Sequence, residues 1–167
     1  MKIGLLSDTH SYLDPKVLEH FSQCDEIWHA GDIGDPGVLT ELASVKPLRA
    51  VHGNIDDKDL RVSWPEDYWV KIEGVLVLMT HIGGTPPRYN PRVKKLLAEK
   101  MPRLFICGHS HMLKVDRDPS LSNMLFVNPG AAGNHGFHYM RTIVRFEVLK
   151  GEIRNMEVIE LGRRGAL

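Results

Sequence analysis

Residues 2–11 read Lys2-Ile3-Gly4-Leu5-Leu6-Ser7-Asp8-Thr9-His10-Ser11. Lys2 to Asp8 has the pattern of a short buried strand, and its apolar run gives way to an aspartate and a histidine two positions apart. Side chains at i and i+2 share one face of a strand. At a strand's end they can instead converge on one point in the following loop. A carboxylate and an imidazole so placed are hard-to-borderline donors suited to a divalent cation. Asp-x-His is also an ordinary polar loop start, so its meaning depends on what later segments supply.

Working outward, the chain repeats this punctuation. Asp14-Pro15 is an N-cap followed by proline at the first helical position, and the spacing of Val17, Leu18 and Phe21 predicts a helix over Pro15–Ser22. Glu26 to Ala30 reads as a strand ending in Gly31-Asp32. Asp35-Pro36 repeats the cap, and Val38, Leu39, Leu42 and Ala43 form a helical stripe to Ser44. Pro47 to His52 is a third strand, ending in Gly53-Asn54. Strand–helix–strand–helix–strand at this spacing implies parallel pairing through crossover connections. Ile55 to Tyr68 is polar and reads as a loop, and Trp69–Glu73 and Val75–Thr80 read as a hairpin around Gly74. Ile82 to Pro87 is a loop, Arg92 to Lys100 a helix with basic residues outward, and Leu104 to Cys107 a strand ending in Gly108-His109-Ser110-His111. Met124–Val127, Thr142–Leu149 and Ile153–Leu161 are strands, the last two a hairpin at Lys150-Gly151, with Gly162–Leu167 as a frayed tail.

Five of these strands therefore end in a polar cluster: Asp8-x-His10, Gly31-Asp32, Gly53-Asn54, Thr80-His81 and Gly108-His109-x-His111. All lie at carboxyl ends, where ligands sit in α/β layouts. The seven donors Asp8, His10, Asp32, Asn54, His81, His109 and His111 are too many for one tetrahedral zinc and include no cysteine. They suit two ions about 3.5–4 Å apart that share a carboxylate.

With Asp56 in Gly53-Asn54-x-Asp56, this series resembles the motifs of the calcineurin-like metallophosphoesterases, and the short length resembles their small bacterial and archaeal phosphodiesterase branch. The match spans residues 2–130. It implies an α/β fold, a four-layer αββα sandwich of two mixed sheets flanked by helices. It further implies that Asp8, His10 and His111 hold one divalent ion, that Asn54, His81 and His109 hold the other, and that Asp32 bridges them. Manganese is the first expectation for both, with iron, zinc or nickel as alternatives. The implied reaction is hydrolysis of a small phosphoester by a hydroxide that the two ions share, with Asp32, Asn54, His81 and Asp56 as the catalytic set.

Two departures from the pattern matter. Larger family members carry a histidine after Gly-Asn that assists the leaving oxygen, whereas this chain has Ile55, which favours diesters with good leaving groups over phosphomonoesters. His81 is followed by Ile82-Gly83-Gly84 where related small members read His-Gly-His, so the pocket loop differs. His135 and His138 are candidates to replace the missing donor, and His29 to orient a ligand. Arg88 and Arg92 read as a solvated basic face, and Trp64, Tyr68 and Trp69 as packing or a subunit contact. The rival to an enzyme is a protein-binding scaffold of the same fold, as in the eukaryotic retromer subunit, but a scaffold is free to lose ligands and all seven positions are filled.

Composition sets the outer bounds. The 167 residues are expected to form one domain, with 43% hydrophobic residues available for a core. Lys plus Arg and Asp plus Glu are both 21, which argues against binding a nucleic-acid polymer or a membrane surface. Cys24 and Cys107 lack a CxxC partner and read as buried free thiols. With no signal-peptide pattern and no apolar stretch of about 18 residues, the cytoplasm is the expected compartment. The family resemblance implies a dimer or tetramer.

Overall fold

In the computed structural model, which describes residues 1–165, the chain runs β1 (Lys2–Leu6), α1 (Pro15–Phe21), β2 (Glu26–His29), α2 (Gly37–Val45), β3 (Leu48–Ala50), α3 (Lys58–Ser63), β4 (Asp67–Ile72), β5 (Val75–Thr80), β6 (Gly84–Thr85), β7 (Arg88–Tyr89), α4 (Pro91–Lys100), β8 (Leu104–Ile106), β9 (Leu113–Asp118), β10 (Met124–Pro129), β11 (Met140–Leu149) and β12 (Glu152–Arg163). Two five-stranded sheets result, ordered β12-β11-β1-β2-β3 and β4-β5-β8-β10-β9. In the first, β1, β2 and β3 are parallel, and the β11–β12 hairpin joins antiparallel to β1. In the second, β5, β8 and β10 are parallel, with β4 and β9 antiparallel at the edges.

Period-two alternation along the strands places side chains in three apolar layers. Leu5, Trp28, Val77, Ile106, Val127 and Phe146 meet between the sheets. Their neighbours in sequence point outward. Leu6, Ile27 and Ile143 pack under Val17 and Phe21 of α1, Val38 and Leu42 of α2 and Leu60 of α3. Leu78, Phe105 and Phe126 pack under Val93 and Leu97 of α4. The order helix, sheet, sheet, helix is the expected αββα sandwich of the α/β class. Both cysteines are buried and free. No helix among the described residues is long and apolar enough to cross a membrane.

Several local readings need correction. The 55–68 segment is not all loop. Asp57 caps α3 by accepting the Leu60 N–H at 2.9 Å, and β4 begins at Asp67. The 82–89 segment carries the β6–β7 ribbon. Residues 113–118 form the edge strand β9, which pairs along its length with β10. The tail is not frayed from Gly162, since β12 runs to Arg163; residues 166 and 167 lie outside the described set. Trp64, Tyr68 and Trp69 do pack, as expected, but each against a different apolar layer. Arg92 is not simply solvated: it pairs with Asp67 and, at 2.9 Å, with Glu66, tying α4 to β4.

One polar group crosses the inter-sheet layer. Glu26 on β2 accepts from Arg49 Nη2 at 2.8 Å and from Trp28 Nε1 at 2.9 Å, and Arg49 reaches Tyr68 of the second sheet. The Arg49 hydrogen bonds, against the opposing cost of burial, hold the Glu26 carboxyl below its ordinary value of 4.5. Its contribution is therefore complete at neutral pH and is lost as pH falls through the depressed folded-state value. Glu26→Gln should cost about 1.5–3 kcal/mol at pH 7, the scale of hydrogen bonds to charged groups. Urea denaturation of both proteins from pH 7 to pH 3 should show that difference shrinking in the acid range below 4.5. A pH-independent difference would remove the ion pair from the account.

Candidate metal centre

The carboxyl ends of β1, β2, β3, β5 and β8 meet at one rim, where the two sheets come together. Gly108 marks the junction: its N–H donates to the His81 carbonyl at 3.1 Å, and a Cβ at this position would stand 2.0 Å from Ser7 Oγ. Only a residue without a side chain lets the β8 loop lie against the β1 loop.

Around this junction the structure gathers two overlapping donor groups. Asp8, His10, Asp32 and His111 each offer an atom within 4.8 Å of the others, and so do Asp32, His81 and His109. Asp32 belongs to both. Asn54 lines the same cleft as Asp32, His10, His109 and His111. All seven sequence-derived donors thus lie at one site. Five of them sit in left-handed backbone: Asp8 (φ 55°), His10 (46°), Asp32 (54°), His109 (68°) and His111 (58°). Asp and His tolerate this region better than most residues, but such a concentration is the kind of local strain found at functional sites.

The donor atoms converge closely, and one of them is left without a hydrogen-bond partner. His81 Nδ1 donates to the Ala30 carbonyl at 2.8 Å, which leaves Nε2 toward the site. That buried nitrogen lies 3.1 Å from Asp32 Oδ1 and 4.0 Å from Asp8 Oδ1, yet has no well-aligned hydrogen-bond partner. His111 Nε2 is 3.2 Å from both Asp8 Oδ1 and His10 Nε2. Carboxylate and imidazole donors that converge this closely, one of them a buried orphan, fit a divalent metal. The electrostatics agree. Burial opposes ionisation of Asp32, but its contact with His81 and the Ile55 N–H outweigh that and hold the carboxyl down to about 2. Burial also works against a charged His81, yet Asp32 and Asp8 pull it above its ordinary value.

A shell of residues fixes these donors. Asp56, placed by its motif in the catalytic set, is a positioning residue: its carboxylate accepts from Gly53 N–H at 2.7 Å and from Ile33 and Gly34 N–H at 2.8 Å, locking the β2 and β3 loops together. Arg61 then clamps the Asn54 turn, with Nη2 on the Asn54 carbonyl and Nε on the Asp56 carbonyl, both at 2.7 Å. His29 accepts the Gly31 N–H on Nδ1 and donates from Nε2 to Thr9 Oγ1, and burial pushes its pKa down to about 4. It therefore orients the loop between Asp8 and His10 as a neutral ring. Asn128 holds the β8 loop through the Gly108 carbonyl at 2.8 Å. Sequence reasoning passed over Arg61 and Asn128. Asn128, a polar residue closing an apolar strand, was the visible signal. Arg61 left none, because its bonds go to backbone carbonyls.

The cleft over the donors is about 780 Å³. His135 and His138 both line it, their rings 4.8 Å from His10 and 5.3 Å from His111 respectively. His138 Nε2 already donates to the Gly133 carbonyl at 3.0 Å, while His135 is exposed. Ile55 presents an apolar side chain to the same cleft.

Comparison with known proteins places the chain in a family. The chain is 31% identical over 136 residues, 78% of its length and 77% of the relative's, to a probable metallophosphoesterase of Methanothermobacter thermautotrophicus (strain Delta H). Its fold matches that of an archaeal phosphodiesterase with a TM-score of 0.74, 23% identity, and coverage of 95% of this chain and 100% of the other. It also matches zinc-complexed Vps29 from Entamoeba histolytica, with a TM-score of 0.73 at 16% identity over 96% and 99% of the two chains. The model of the calcineurin-like phosphoesterase superfamily domain matches residues 1–151, a span that includes every donor described above, and the chain belongs to that superfamily.

Proposed function

We propose that this protein is a dinuclear-metal phosphodiesterase acting on a small phosphodiester. The observation that carries the reading is the sharing of Asp32 between two donor groups that otherwise have no member in common. Asp8, His10 and His111 would hold one ion, Asn54, His81 and His109 the other, and Asp32 both. Bound there, two divalent ions neutralise phosphoryl oxygens and acidify the attacking water.

The chain's own residues do the rest. Two carboxylates against two dications leave the site with a net positive charge, which draws in a phosphodiester anion. Buried Asp8, held by the His109 N–H at 3.2 Å, keeps the β1 and β8 loops in register under the substrate. Asp56 and Arg61 keep Asn54 facing the cleft. Ile55 offers no proton to a leaving group, which favours diesters over monoesters. Manganese is the first metal to test, and the imidazole-rich donor set also accommodates iron, zinc or nickel. A cytoplasmic setting and a dimeric or tetrameric assembly complete the reading.

The test is hydrolysis of an aryl phosphodiester and the matching monoester, with and without chelator. Chelation should abolish turnover and manganese should restore it. The diester should be preferred by about tenfold or more in kcat/KM, or ~1.4 kcal/mol of transition-state discrimination. A protein that binds manganese yet turns over neither ester would be a scaffold instead.

A further inference from the structure

The cleft has a polar floor and an apolar collar. Ile55 follows β3, Met112 and Leu113 follow β8, and Phe137 and Tyr139 follow β10; all five line the cleft and all are exposed. Phe137 is the extreme case, with its whole side chain in solvent at 104% relative exposure. Scattered exposed apolar residues need no explanation, but a contiguous set around a concave site marks something that binds there.

The loop that carries Phe137 is also held in place. His138 donates to the Gly133 carbonyl at 3.0 Å, and the Gly133 N–H donates to the Asp8 carbonyl at 3.1 Å. Past the ring, Arg164 donates from its backbone N–H to the Tyr139 carbonyl at 3.0 Å and from Nε to the His138 carbonyl at 3.1 Å. The loop that presents Phe137 is therefore fastened at one end to a metal-donor residue and at the other to the strand end beyond β12.

A phosphoester's charged oxygens belong with the cations that the Asp and His donors of the floor would hold, so the collar receives the organic part of the ester. The collar carries two aromatic rings, and flat π groups stack on such rings with little demand for hydrogen-bond matching. The cleft's volume leaves room for a ring beside the phosphoryl group. Resting on the function proposed above, we propose that the substrate carries a flat aromatic or heteroaromatic ester group that stacks on Phe137. A protein partner fits less well, because the collar encircles a concavity and a flat surface would cap the floor without filling it.

The experiment is calorimetric titration of the manganese-loaded protein with phenylphosphonate and methylphosphonate, whose P–C bonds the reaction does not cleave. Phenylphosphonate should bind about tenfold tighter, within the range that base–aromatic stacking supplies. Phe137→Ala should erase that advantage and leave methylphosphonate affinity unchanged; with its side chain wholly in solvent, the variant should fold normally. Phe137→Leu should recover only part of it. A nucleoside 5′-phosphonate that binds tighter than phenylphosphonate identifies a base as the ring, and the reverse order identifies a phenolic ester. Equal affinities of the two simple phosphonates in wild type would overturn the proposal, as would an advantage that survives Phe137→Ala. A wild-type dimer that falls apart on Phe137→Ala in sedimentation velocity would assign the ring to a second copy and also overturn it. Failure of methylphosphonate itself to bind would locate the error in the metal floor, and so in the function on which the proposal rests.

Discussion

Asp32→Asn is expected to lower kcat on a phosphodiester by about 10²–10³-fold, the scale of losing one preorganised electrostatic group. The exchange is nearly isosteric, and the carboxamide oxygen can still accept the Ile55 N–H that now donates to Oδ1 at 3.1 Å. What it removes is charge. Asp8 and Asp32 are the only carboxylates in the two donor groups. Losing one halves the negative charge that would be set against the two proposed dications, and it does so at the one residue both groups share. Metal content by elemental analysis should therefore drop below two per chain, and the chelator-treated variant should melt below wild type at neutral pH, because the carboxylate that, against burial, the His81 contact holds down to about 2 is gone. Full activity in Asp32→Asn would end the bridging assignment.

Gly53→Ala should be the most damaging conservative change at the rim. A Cβ there would stand 2.0 Å from Asp32 Oδ1 and 2.3 Å from the Asp32 backbone nitrogen. The backbone nitrogen cannot rotate away, so the β2 and β3 loops must separate. Separation also strains the Ile33 and Gly34 N–H bonds to Asp56 Oδ1, both now 2.8 Å. Overpacking of this kind costs about 1–3 kcal/mol. A displacement near 1 Å at a catalytic group costs about 10²-fold in rate. Urea midpoints and kcat at saturating manganese should both fall, with the loss in rate persisting at temperatures where the variant is fully folded. An active, merely less stable variant would show that the loops can part without disturbing Asp32.

The two effects differ in how readily sequence foretells them. Donor residues are legible because metal chemistry admits few side chains. Asp8-x-His10 and Gly108-His109-x-His111 stand out even without neighbours, and the apolar runs before them place them at strand ends. The parallel β1–β2–β3 core was legible for a related reason, since Asp14-Pro15 and Asp35-Pro36 punctuate the crossovers. The rest was hidden where burial gives no pattern. β9 lies at a sheet edge with mostly exposed side chains, and α3 buries only Leu60, so neither shows a periodic apolar signal. Asp56 shows what a motif leaves out: it gives the position, while the three backbone bonds to its carboxylate appear only in the fold.

The meeting of His10 and His111 joins positions 101 apart in the chain. An ion gripping both ends would act as a reversible staple across that span. By the chain-entropy reckoning used for covalent cross-links, closing a loop of about 100 residues is worth about 4.7 kcal/mol. The first hundred residues alone would hold Asp8, His10, Asp32, Asn54 and His81 without the histidines that complete either group. Assembly of the centre therefore waits on β8 docking between β5 and β10. Metal uptake would then be a late event in folding, and the ion, once in place, would resist unfolding of both sheets at once.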